Sequence, residues 1–156
     1  MRSLLLKLSL LTMAVAMQLA AVDHYLGTWK LDTAKSKYDP GPGPKSGTVV
    51  YSADGDWIAI KTEGVAADGK STSTSNRYKR DGKDYPWNTA TESGKSTISI
   101  KLMDDYHTVG TLKRDGKVTS TSKSTISKDG KTRTMATTGT NAEGKKFSNV
   151  VVYNRQ

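Results

Sequence analysis

The sequence predicts an all-β protein, an up-and-down antiparallel β-barrel of about ten strands. Turn-like dipeptides recur at steps of 11 to 14 residues, and the runs between them are rich in Thr, Ser, Val, Ile and Tyr. Gly adopts positive φ freely, Asp tolerates it, and β-branched residues favour extended strands, so the pattern is typical of a chain of hairpins. The dipeptides are Asp54-Gly55, Asp68-Gly69, Asp81-Gly82, Ser93-Gly94, Asp104-Asp105, Asp115-Gly116, Asp129-Gly130 and Glu143-Gly144.

The strands follow from these turns. They are predicted at 26–31, 46–52, 57–63, 70–79, 83–91, 96–103, 106–113, 117–127, 131–140 and 145–154. Only the connection between the first two strands is long. It contains a Pro-Gly run at 39–44, which excludes a long helix and leaves room for at most a single turn over 33–37.

The first 21 residues are typical of a secretory signal peptide. Arg2 and Lys7 are followed by a mostly apolar run that ends in Ala20-Ala21, and this run is too short for a spanning helix. We therefore expect residues 1–21 to be removed and residues 22–156 to form one barrel domain, secreted or periplasmic, with no membrane span after cleavage. The alternative is an uncleaved membrane anchor.

Charge and cysteine content limit the function. Residues 22–156 keep 22 of the 24 Lys and Arg residues against 15 Asp and Glu, a net charge of +7, and the chain has no Cys. An exported domain without disulfides must be stabilised by strand pairing and a core. The positive charge suits an anionic polymer or surface, although most lysines lie beside turns, where solvated charge is ordinary.

Alternation identifies candidate walls of the barrel interior. Ile58 and Ile60 share one strand face, as do Ile98, Ile100 and Leu102, so these positions are predicted to face the core. The stretches 71–75 and 119–125 are instead almost entirely Ser and Thr. Their inward hydroxyls would need water or a polar ligand group as partners, unless both strand faces lie in solvent.

The two ends of the chain resemble a known superfamily. Residues 25–31, Tyr-Leu-Gly-Thr-Trp-Lys-Leu, resemble the opening strand of fatty-acid-binding proteins, and Gly27-Thr28-Trp29 matches the Gly-x-Trp shared with lipocalins. The closing residues 150–155 are similar to the last strand of that group. The resemblance, to a secreted bacterial lipocalin-like protein of the calycin superfamily, implies that Trp29 packs across a closed barrel end and that Arg155 covers it.

Two departures separate this chain from fatty-acid-binding proteins. The Pro-Gly run leaves no room for their helical lid between the first two strands. Their carboxylate-binding Arg-x-Tyr pair is here Val151-Val152-Tyr153, which keeps the Tyr and lacks the Arg.

Aromatic and basic residues of the middle strands complete the candidate site. Large rigid faces beside hydroxyls are typical of small-molecule pockets, although aromatic pairs also pack across strands to set register. Trp87 follows Pro86, so its strand should be interrupted and its indole displaced toward a rim. The predicted ligand-binding residues are Ile58, Ile60, Arg77, Tyr78, Trp87, Ile98, Ile100, Leu102, Tyr106, Arg133 and Tyr153.

No catalytic or metal-binding pattern is evident. His107 lies near Asp104 and Asp105, a pair explained by turn geometry, and His24 is 83 positions away, too far for a closely spaced zinc motif. We therefore expect a non-enzymatic protein without cofactor or metal that holds a small amphipathic or hydrophobic ligand in a barrel lumen. The alternative is a basic extracytoplasmic module that binds an anionic polymer or surface; nucleic acid is not expected as a partner.

Overall fold

The computed structural model describes residues 22–89 and 95–156, and within them it confirms the predicted all-β architecture. These residues form eleven strands and no helix. The strands are β1 (Gly27–Leu31), β2 (Lys37–Asp39), β3 (Ser46–Asp54), β4 (Trp57–Val65), β5 (Ser71–Tyr78), β6 (Asp81–Pro86), β7 (Ser96–Asp104), β8 (His107–Arg114), β9 (Lys117–Ile126), β10 (Thr132–Thr140) and β11 (Lys146–Arg155).

All of these strands belong to one antiparallel sheet that curls into a nearly closed barrel. The order is β5-β4-β3-β1-β11-β10-β9-β8-β7-β6, with β2 paired to β11. The first strand therefore joins the last, and Trp29 on β1 lies opposite Arg155 on β11. Ten strands form the barrel wall, in agreement with the predicted number.

The barrel has a seam between its two edge strands, β5 and β6. The described residues of β5 and β6 share no backbone ladder. Instead the Asn76 side chain accepts a hydrogen bond from the Asn88 amide at 2.7 Å and donates one to the Asn88 carbonyl at 3.0 Å. This pair of hydrogen bonds, the Asn76 clasp, spans the seam.

One predicted turn is wrong. Asp115 and Gly116 both have positive φ between paired strands, as a tight hairpin requires. Asp81-Gly82, in contrast, lies inside β6. Asp81 pairs with Lys101 and Asp84 with Ser99, so β6 advances by three residues where β7 advances by two. Gly82 (φ 81°) thus serves a β-bulge rather than a hairpin. Ser93-Gly94 and the end of the predicted strand 83–91 lie outside the described residues.

The segment between β1 and β3 contains the predicted turn and an unpredicted strand. The Ser36 amide donates to the Asp32 carbonyl at 3.1 Å, and this closes one turn. Lys37–Asp39 then pairs with residues 148–150 of β11, beyond the point where β1 ends its own pairing with β11. The Pro-Gly loop folds back over Tyr38, so closely that a side chain at Gly43 would overlap the ring.

One end of the barrel is filled by side chains. Trp29 is completely buried, and its Nε1 donates to the Tyr25 carbonyl at 3.0 Å. The Arg155 guanidinium lies 4.3 Å from the centre of the indole and donates to the carbonyls of Leu26, Gly130 and His24. The positions of Trp29 and Arg155 match those that the superfamily resemblance implies. The space that remains inside the barrel therefore lies beyond this plug.

Candidate ligand cavity

A cavity of about 260 Å³ occupies the barrel interior. Two recesses of about 190 and 160 Å³ adjoin it and share wall residues with it, Leu112 and Ser120 with the first and Val49, Thr62 and Tyr153 with the second. At about 260 Å³ the cavity itself lies just below the range of roughly 300 to 1,000 Å³ that is typical of ligand pockets. The cavity is lined by Val49, Tyr51, Ile60, Thr62, Tyr78, Trp87, Ile98, Ile100, Leu112, Ser120, Ser122, Arg133, Met135, Thr137 and Tyr153.

The cavity has two chemically different walls. On one side β3, β4, β7 and β8 contribute hydrocarbon, including Ile60, Ile98 and Leu112. On the other side β9 and β10 contribute Ser120, Ser122 and Thr137. The division arises because strands alternate, so every second residue of a Ser/Thr-rich strand points inward. Ser120 and Ser122 of the stretch 119–125 therefore face the interior, one of the two possibilities that the sequence left open, whereas no residue of 71–75 lines this cavity.

Arg133 places a positive charge inside this cavity. The residue is only 7% exposed. Its Nε donates to the Ser124 hydroxyl at 2.7 Å, and its guanidinium lies 4.8 Å from the centre of the Tyr51 ring. Among residues 22–89 and 95–156, no carboxylate forms an ion pair with it. Asp23, a carboxylate that precedes β1, forms its ion pair with Arg80.

Tyrosines surround the guanidinium. Burial raises the pKa of Tyr78 and raises the pKa of Tyr153 to about 12, so both remain neutral phenols at physiological pH. Burial alone would lower the pKa of Arg133, but Tyr51 and the other two tyrosines raise it on balance. The guanidinium therefore keeps its positive charge. The tyrosine side chains around it make polar contacts but supply no negative charge that would neutralise it.

The strand register places an arginine beside Tyr153, although the last strand itself has no arginine two positions before that tyrosine. Arg133 on β10 lies directly opposite Tyr153 on β11. The arginine that is missing two positions before Tyr153 in the chain is thus replaced, in space, by one on the neighbouring strand. A guanidinium and a phenol side by side can bind a carboxylate jointly.

Seven of the eleven predicted ligand-binding residues line the cavity. They are Ile60, Tyr78, Trp87, Ile98, Ile100, Arg133 and Tyr153. Trp87 follows the end of β6 at Pro86, but its amide still donates to the Ser96 carbonyl at 2.9 Å. Its indole lines the cavity, with its ring 6.2 Å from that of Tyr78.

The other four lie elsewhere. Ile58 is buried in the core without lining the cavity, and Tyr106 stacks on His24 with ring centres 4.7 Å apart. Leu102 is 39% exposed near the end of β7. Arg77 precedes the inward Tyr78, so it points outward, where its guanidinium lies 4.2 Å from the centre of the Trp57 ring.

Several cavity residues were not predicted. Val49 and Tyr51 on β3 and Leu112 on β8 carry an alternating signal that could have identified them. The inward hydroxyls of Ser122 and Thr137 carry none, since their outward neighbours are Thr, Lys and Ala and no large apolar residue marks either face.

The histidine noted in the sequence lies on the surface. His107 Nδ1 is 2.7 Å from Asp104 on an exposed turn. The backbone amide of Tyr106 and the His107 ring lower the pKa of Asp104. Across 22–89 and 95–156 there is also no cluster of three or more His, Cys, Asp or Glu side chains arranged to hold a metal ion.

A nearly closed up-and-down barrel with a plugged end and an inner cavity defines a calycin-like fold, that of fatty-acid-binding proteins and lipocalins. Solved structures with this fold include zebrafish ileal bile-acid-binding protein complexed with cholic acid. It is 11% identical, the match covers 85% of this chain and 99% of that one, and the TM-score is 0.55.

Two further solved structures are similar to this chain. The Schistosoma mansoni fatty-acid-binding protein in complex with arachidonic acid is 18% identical over 88% of this chain and 99% of its own, with a TM-score of 0.57. As-p18, an extracellular fatty-acid-binding protein, is 16% identical over 86% and 97%, with a TM-score of 0.52. No protein-family model and no curated protein matches the sequence. Over the part of the chain that the structure covers, no helix has the length and hydrophobicity needed to cross a membrane.

Proposed function

We propose that this protein is an exported, non-enzymatic carrier that holds a small hydrophobic ligand with an anionic head group in the barrel lumen. The observation that carries the proposal is the buried charge of Arg133 in a cavity otherwise walled by hydrocarbon, phenols and hydroxyls. A buried ion that lacks a counter-ion is costly, whereas a guanidinium offers paired donors that fit a carboxylate. An acid with a hydrocarbon body matches both the charge and the apolar wall.

The similar structures support this class of ligand. Cholic acid and arachidonic acid, the ligands in two of them, each join a carboxylic acid to a hydrocarbon body. Because the sequence identities are low, the ligand of this chain is inferred from its own cavity. The neighbours indicate only that a barrel of this shape can enclose such molecules.

The composition of the cavity wall supports binding rather than catalysis. The described residues that line it include no His, Asp, Glu, Lys or Cys. The phenols of Tyr78 and Tyr153, whose pKa values are raised by burial, would be weak bases or nucleophiles at neutral pH. A carrier needs neither, since it binds and releases its ligand unchanged.

Export is a separate part of the proposal, supported by the signal-like residues 1–21. The intact mass of protein purified from its own source tests it. A mature chain that begins near Val22 is expected, and a mass that includes residues 1–21 would contradict cleavage.

Calorimetric titration tests ligand binding. We expect a long-chain carboxylic acid to bind one per barrel in the micromolar range and the corresponding alcohol to bind more weakly. No heat with either ligand at tens of micromolar would overturn the carrier. Salt-sensitive retention on heparin together with an empty lumen would instead support the basic interaction module.

A further inference from the structure

Two hydroxyl groups lie side by side on the polar wall of the cavity. Ser122 on β9 and Thr137 on β10 are direct partners in the sheet register, and both line the cavity. Neighbouring side chains on the same face of paired strands are close enough to act on one ligand atom together. They therefore form a single polar patch.

A glycine lies directly beside this patch. Gly110 on β8 is the partner of Ser122 on the other side and of Ile100 on β7. A methyl group added at Gly110 would lie 2.6 Å from the Ser122 Oγ and 2.8 Å from the Ile100 Cδ1. The Ser122 hydroxyl and the Ile100 side chain thus occupy the space that a side chain at position 110 would need, and only glycine allows both to lie there.

The hydroxyls of the patch have hydrogen-bonding capacity to spare. Within residues 22–89 and 95–156, the Ser122 and Thr137 side chains form no hydrogen bond with a protein group. In that part of the chain, every fully enclosed side-chain N or O atom has a hydrogen-bond partner. Because these two hydroxyls have none, they are not fully enclosed and are open to the cavity. Each can donate one hydrogen bond and accept others.

The patch lies at a defined distance from the charge. Arg133 and Thr137 are on the same face of β10, four residues apart, which is about 13 Å along a strand. The Arg133 side chain extends toward Ser124 on β9, and Ser124 is only two residues from Ser122 of the patch. A ligand atom at the patch would therefore lie about 7 to 13 Å from the anionic group.

From this arrangement we propose that Ser122 and Thr137, with Gly110 making room for Ser122, form a subsite for a hydroxyl or keto oxygen carried at the middle of the ligand. The inference rests on the proposed carrier function and narrows its ligand class to an oxygenated acid. The head group binds at Arg133, one side of the body packs on the isoleucines, and the mid-body oxygen bonds to the patch. An unsubstituted fatty acid leaves both hydroxyls without a ligand partner.

Positional isomers test the subsite. Calorimetry would compare octadecanoic acid with hydroxyoctadecanoic acids substituted at carbon 2, carbon 10 or carbon 12. We expect one of the two mid-chain isomers to bind about fivefold to tenfold more tightly than the plain acid, as one or two net hydrogen bonds allow. The carbon-2 isomer should show no such gain.

Matched variants assign the effect to the patch. The double variant Ser122→Ala, Thr137→Val should lose the mid-chain preference, so that the plain acid and the mid-chain isomers bind with similar affinity. Thr121 and Thr138 are also direct register partners, but they are exposed on the outer face, so Thr121→Ala, Thr138→Val is the control and should keep the preference. Gly110→Ala should weaken the mid-chain isomer more than the plain acid, because the added methyl group would displace the Ser122 hydroxyl from the patch.

The outcomes separate this inference from the carrier proposal. If all the acids bind equally, or if the preference survives in the Ser122/Thr137 variant, the subsite is wrong and the carrier stands. If none of the acids binds, the carrier fails and the subsite with it.

Discussion

Replacing Arg133 with Met tests whether its charge is kept for a ligand rather than for folding. The variant removes one charged hydrogen bond to Ser124, about 2 kcal/mol, and the stacking on Tyr51, about 1 kcal/mol. It also removes the desolvation cost of a buried, unpaired ion, which amounts to several kcal/mol, and Met fills a similar volume. We therefore expect the free energy of unfolding without ligand to stay the same or rise by about 1 to 2 kcal/mol.

Ligand binding should change in the opposite direction. Loss of a buried charge partner weakens binding by about 3 kcal/mol, or roughly 150-fold, for a carboxylic acid. The corresponding alcohol has no charge to lose and should change less than about threefold. Urea unfolding followed by circular dichroism gives the stability, and calorimetry gives the two affinities.

The outer-face Arg77→Met is the matched control, because it removes an arginine that does not line the cavity. It should leave the acid-to-alcohol affinity ratio unchanged. If Arg133→Met unfolds the barrel, or weakens acid and alcohol equally, Arg133 is a structural residue and the reasoning fails.

Three further predictions concern the framework of the barrel. Arg155→Met should lower the free energy of unfolding by about 3 kcal/mol in urea, because three backbone carbonyls and the Trp29 face lose their partner; a loss under 1 kcal/mol would contradict the plug. Burial would raise the pKa of Asp23, but the hydrogen bonds from Arg80 outweigh burial and lower the pKa. The ion pair therefore stabilises the folded state above the ordinary carboxyl pKa, and this stabilisation is lost as pH falls through the pKa of the folded state. The wild type should thus lose more stability than Asp23→Asn between pH 7 and pH 3, and parallel urea midpoints would refute this. In Asn76→Ala the seam loses its clasp, so amide hydrogen exchange at residue 88 should accelerate, and unchanged protection would show that the seam is held elsewhere.

Much of the barrel could be predicted because hairpin chemistry and strand alternation are local. The turn at Asp115-Gly116 and the inward face of Ile98 and Ile100 follow from short-range rules. The strand β2 could not be anticipated, since three residues before a proline carry no pattern of their own. Only pairing with β11, more than a hundred positions away, makes them a strand.

The candidate site was harder to predict because it depends on which face each residue occupies. The sequence does not tell which of Arg77 and Arg133 points into the barrel. In the structure Arg77 stacks on an outer tryptophan, and Arg133 is buried among tyrosines. Tyr78 could have indicated the direction of Arg77. Successive side chains of a strand point to opposite faces, so an inward tyrosine places its neighbour on the outer face. For Ser122 and Thr137 the assignment needs the register itself, because neither strand face is apolar there.

The pairing of the first strand with the last also determines when the protein can fold. Trp29 meets its covering guanidinium only when β11 lies beside β1, so the plug cannot form from the first strands of the barrel alone. Until then β1 has β3 as its only available neighbour in the sheet order, and the half-built wall offers an open edge to other chains. Any step that delays the docking of β11 therefore prolongs the exposure of the β1 edge.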